Sequence, residues 1–136
     1  MCLCKSRKLT IEEIALIKRG VGDDNEYIDD IWIYIDVPWL NCLCNCCRSS
    51  QKSALTINKT MFFSFDPNIK VMMDANLLLH EFAHTLQCRK YGYCCLIPRY
   101  ISEIVSYGCN GMYTIEGTLE HEAERFAKDV LGIVSA

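Results

Sequence analysis

The chain has 136 residues, 51% of them hydrophobic, and a formal net charge of -3 from 14 basic and 17 acidic side chains. That length suits one domain, residues 1–136, with a real core, and the weak acidic balance excludes the basic footprint of a nucleic-acid binder. No run is long and apolar enough to span a bilayer, and the first eight residues lack the apolar stretch of a secretory signal, so a cytoplasmic protein is expected.

Residues 1–8 are expected to be flexible. Thr10 and Glu13 fit a capping box that opens a helix. Ile11, Ile14, Ala15 and Ile17 form its apolar stripe, and Gly20 ends it. A polar loop at Gly22–Glu26 leads to a strand at Ile31–Ile35, which Pro38 stops. Ala54–Ile57 and Met61–Phe65 read as strands around an Asn58-Lys59 turn. Asp74 is expected to cap a helix from about Ala75 to Lys90, closed by Gly92. Further helices are expected from Pro98 to Gly108 and from Thr118 to Leu131, with Gly132 after the last. The order is α+β: an N-terminal helix, a small sheet of two to four short strands, then three helices.

The chain holds ten cysteines. Without a secretory signal they are expected to be mostly free thiols. The cluster Cys42, Cys44, Cys46 and Cys47 fits the usual paired zinc spacing poorly. Membrane association is expected only through acylation of Cys2 or Cys4, next to the basic Lys5, Arg7 and Lys8.

His80-Glu81-Phe82-Ala83-His84 carries the chemistry. Residues four apart share a helix face, so His80 and His84 can bind one metal ion, and Glu81 lies about 100° round from His80, within reach of a water there. The apolar positions Leu79, Ala83 and Leu86 fall on another side and can bury. A catalytic zinc takes three protein ligands and keeps one position for water. Two acids compete for the third place. Glu103 lies 19 positions after His84. Glu120 opens the last helix, about 60° from the centre of the face made by Ala123, Phe126, Ala127, Val130 and Leu131. Its neighbours Glu122 and Glu124 lie farther round, on opposite flanks. A helix N-terminus favours a surface Glu in any case, so the residues themselves leave both acids open.

Several segments carry a resemblance. They are Leu9–Leu16, Leu55–Phe63, Leu78–Gln87, Ile97–Tyr100 and Glu120-His121-Glu122-Ala123. Together they resemble small H-E-x-x-H, gluzincin-like metallopeptidase domains related to the core domain of extracellular contractile injection systems. The resemblance runs over most of the chain. It implies a minimal zincin-like fold, a zinc ion held by His80, His84 and Glu120, and Glu81 as general base for hydrolysis of a peptide or protein substrate. Gln87 is expected to orient a ligand histidine. Tyr100, Tyr107, Tyr113 and Arg99 are the candidates for an oxyanion donor. Trp32 and Trp39 are expected to pack, Cys88 to be a buried inert thiol, and His121 to stay outside the ligand set. The competing expectation is a zincin-like binding module whose zinc is structural.

Overall fold

A computed structural model describes residues 5–23, 26–37, 40, 52–92, 98–99, 101–108 and 115–132. The order is β1 (Lys5–Lys8), α1 (Ile11–Val21), a 3-10 turn (Glu26–Asp30), β2 (Trp32–Ile35), β3 (Ala54–Ile57), β4 (Thr60–Phe63), α2 (Met72–Tyr91) and α3 (Leu119–Leu131). Residues 98–99 and 101–108 are helical as well. The fold is α+β, with one four-stranded sheet ordered β1-β2-β4-β3. β1 is antiparallel to β2, β2 parallel to β4, and β3 antiparallel to β4. β1 and β3 are therefore the edges. The two-residue turn between β3 and β4 puts Asn58 at a φ of 55°, a left-handed conformation that asparagine tolerates better than most residues.

The core lies between the sheet and the helices. Ile17, Ile28, Ile31, Ile33, Met61, Phe63, Leu78, Leu79 and Phe82 are fully buried in it. Phe82 stacks on Tyr27, with ring centroids 6.0 Å apart and planes within 10°. α2 packs along α3 on one side and against β3 and β4 on the other. A helix covered on two sides can bury polar residues as well as apolar ones, and α2 buries His80, Glu81 and Gln87.

Four expectations are corrected. Lys5–Lys8 form an edge strand. Arg7 anchors it with two bonds to Glu13, of 2.7 and 2.9 Å, and one of 3.3 Å to Asp66. The capping box at Thr10 forms in full, but the buried side of α1 is Glu13, Leu16 and Ile17, and Ile11 is 82% exposed. The ion pair with Arg7 is what draws Glu13 inward.

Gly20 does not end α1, which runs to Val21 and is capped by Gly22. A Cβ at position 20 would lie 2.5 Å from Val130 and 2.9 Å from Phe126, so this glycine lets α1 approach α3 closely. α2 begins at Met72, with Val71 as its cap and no side-chain capping bond. Asp74 sits within the first turn, where it accepts from Lys52 Nζ at 2.6 Å and from the Asn68 amide at 3.0 Å. That pair of contacts fixes the loop before the helix.

α3 starts after Thr118, whose hydroxyl accepts from the His121 amide at 3.2 Å. Among the described residues no helix is long and apolar enough to cross a membrane.

Candidate metal centre

α2 carries His80 and His84 one turn apart, and their Nε2 atoms lie 3.2 Å from each other. α3 brings Glu120 between them from its first turn. Oε2 of Glu120 lies 2.8 Å from His80 Nε2, and Oε1 lies 3.1 Å from His84 Nε2. Donors about 2.0–2.1 Å from a tetrahedral zinc stand roughly 3.3 Å apart. The observed spacings of 2.8, 3.1 and 3.2 Å are close to that. The residues present therefore fit a divalent cation with three protein donors.

The rings are aimed by their other nitrogens. His80 Nδ1 lies 2.9 Å from Glu124 Oε1. Nδ1 of His84 meets Gln87 Oε1 at 2.8 Å. A carboxylate or amide oxygen can only accept, so each Nδ1 holds its proton, and Nε2 is the lone-pair donor whenever the ring is neutral. The Gln87 amide is itself held, because its Nε2 donates to the Leu119 carbonyl at 2.9 Å and to Glu122 Oε2 at 3.3 Å.

Glu81 is buried, and its carboxylate falls within 4.8 Å of donor atoms of both histidines. Its backbone carbonyl accepts from Thr56 Oγ1 at 3.1 Å, which ties edge strand β3 to this turn of α2.

The electrostatics show buried carboxylates balanced by imidazoles. Burial pulls the His80 pKa down, but the bonds to Glu120 and Glu124 and the nearby negative charge outweigh it and raise the pKa to about 10. Burial likewise opposes the charged form of His84, and Glu120 reverses that, so this pKa is raised too. Burial raises the Glu81 pKa against the pull of both imidazoles. For Glu120 the imidazoles overcome burial and hold the carboxyl well below the usual range.

Glu103, the other candidate for the third ligand, is engaged elsewhere. Its Oε1 accepts the Leu119 amide at 2.8 Å and its Oε2 accepts Arg99 Nε at 3.0 Å. It anchors the start of α3. Arg99, one of the oxyanion candidates, also donates to the Gly117 carbonyl at 2.7 Å and lies over the Tyr91 ring. Tyr107 is half exposed and lines a cavity of about 300 Å³ beside Arg99 and Glu103.

Cys88 is buried, and its thiol pKa is raised by that burial. Trp32 is 44% exposed, with Lys8 Nζ 4.5 Å from its ring centroid. It is a surface residue rather than a core one. His121 is partly exposed and is not among the donors that converge on the site. Cys2, Cys4, the Cys42–Cys47 cluster, Trp39, Tyr100 and Tyr113 lie outside the described residues.

Glu124 is the site residue that sequence reasoning missed. The signal was available: Glu120 and Glu124 are four apart, as His80 and His84 are, so two i,i+4 pairs on facing helices meet. Comparison of the chain with family models, with curated proteins and with solved structures finds no match.

Proposed function

We propose that this chain is a zinc-dependent metallopeptidase of the H-E-x-x-H…E type, with His80, His84 and Glu120 as metal ligands and Glu81 as general base. The observation that carries the reading is the convergence of two Nε2 atoms and one carboxylate to within 3.2 Å of each other, with a second acid, Glu81, buried beside them. Two imidazoles and a carboxylate also suit iron(II). The presence of Glu81 favours zinc hydrolysis, because a site that only binds needs no base.

A zinc ion held there supplies Lewis acidity to a peptide carbonyl and brings the pKa of a water to roughly 7. Glu81 takes the proton from the attacking water and hands it to the departing amine. Glu124 and Gln87 keep both imidazoles in the Nε2-donor tautomer throughout. An extended peptide or protein segment adds to β3, the edge strand of the sheet among the described residues, which Thr56 joins to the Glu81 turn.

The test is metal analysis of the purified protein, followed by digestion of a peptide library. One zinc per chain and hydrolysis that Glu81→Gln abolishes without zinc loss is the expected result. A second reading, a structural zinc that clamps α2 to α3, is favoured by the burial of His80, Glu81 and Glu120. Stoichiometric zinc with no cleavage of any peptide, and a large loss of stability on chelation, would select it.

A further inference from the structure

Gln87 touches both halves of the site at once. It is 94% buried. Its Oε1 meets His84 Nδ1 at 2.8 Å, and its Nε2 donates to the carbonyl of Leu119 at 2.9 Å. Leu119 immediately precedes Glu120 in the first turn of α3. The side chain that aims the second histidine therefore also grips the backbone that carries the third acid.

The amide is the one side chain that suits this place. It must accept on one side, from an imidazole N–H, and donate on the other, to a peptide carbonyl and the Glu122 carboxylate. A carboxylate in its place has no donor for Leu119, and an aliphatic residue has neither function. Leu119 is held at both of its backbone groups, because its N–H donates to Glu103 while its carbonyl accepts from Gln87.

From this geometry we infer that Gln87 is a positioning residue that registers Glu120 against His84, and so sets the spacing of the metal donors across the α2–α3 interface. This rests on the reading of His80, His84 and Glu120 as metal ligands. Gln87 touches neither substrate nor metal. Its effect is on how well the donor atoms match one cation.

The test compares Gln87→Leu and Gln87→Glu with the wild type. The readouts are zinc affinity, measured by competition with a chromophoric chelator, the visible spectrum of the cobalt(II)-loaded protein, and long-range proton–nitrogen NMR of the imidazoles. Gln87→Leu is expected to weaken zinc binding roughly 10- to 100-fold, to alter the cobalt spectrum and to remove the fixed Nδ1 proton of His84. Gln87→Glu keeps the acceptor and loses the donor. It is expected to preserve the His84 tautomer and still shift the cobalt spectrum, because the first turn of α3 is released.

Wild-type zinc affinity and an unchanged cobalt spectrum in a folded Gln87→Leu would overturn the inference. A Gln87→Leu protein that fails to fold leaves Gln87→Glu to decide, and a wild-type cobalt spectrum there overturns it equally. A wild-type protein that takes up no metal, or takes it up undiminished after His80→Ala, sinks the ligand assignment itself.

Discussion

Glu103, in the helical segment 101–108, and Glu120, in the first turn of α3, are both buried acids that converge on the same helix start, at 8% and 3% exposure. Their oxygens meet different chemistry. Those of Glu103 are matched by a guanidinium and a peptide N–H, groups that keep their protons at any ordinary pH. Glu103 is complete without a cation. Those of Glu120 are matched by two imidazoles, which are cationic only while protonated. A divalent ion can replace those protons and satisfy the same three groups. Burial and spacing are therefore poor guides to a ligand, and the exchangeability of the partner is a better one.

The sharpest way to test the Glu120 side of this comparison is through the chemistry beside it. Glu81→Gln should lower peptide hydrolysis on the order of 10²–10⁴-fold with zinc content unchanged, read by steady-state rates and metal analysis of the same sample. Next, Glu120→Ala and Glu103→Ala should separate. Loss of one donor from a structural-zinc-sized binding energy costs about 3 kcal/mol, or on the order of 100-fold in affinity. Glu103→Ala should leave the affinity within a few-fold of wild type. Equal losses in the two variants would erase the distinction.

A smaller effect is expected one shell out. Glu124→Gln should weaken zinc roughly 10-fold, at the low end for a group that orients a ligand histidine. Glu103→Ala should instead act on the fold, at about 1–3 kcal/mol for a buried N–H left without its acceptor. Chemical denaturation of the metal-free protein measures it.

The smallest signal concerns protons. His80 has its pKa raised to about 10, so its ring is protonated at neutral pH in the metal-free protein, and the pKa of His84 is raised as well. Coordination requires them neutral. Metal uptake near pH 7 should thus release at least one proton per ion, and affinity should climb with pH until the His80 titration is passed. Calorimetry in buffers of different ionisation enthalpy reports that count, and a release near zero contradicts the charge state described here.

Much of this was legible before any coordinates. The capping box at Thr10, the Asn58-Lys59 turn, the Gly92 and Gly132 stops and the Thr118 start all appear as read, because each is set by a few adjacent residues. The proposed role of Gln87 matches its bond to His84, since the two are three apart on one helix. The misses are non-local. β1 exists because β2 offers it a partner, and its own basic sequence gives no strand signal. Gly20 looks like a helix stop, and its reason lies across the interface in Phe126 and Val130.

The chain's own order of residues determined that two histidines and a glutamate share one turn of one helix, because a period of 3.6 needs no further information. It also placed two acids downstream as rivals for the same role. Which of them faces the imidazoles was decided by how α3 packs on α2 and by where Arg99 and the Leu119 amide claim Glu103. The contacts made to α3, Glu103 with the Leu119 amide and His80 with Glu120, join residues 16 and 40 positions apart, and helical periodicity says nothing about distances across two helices.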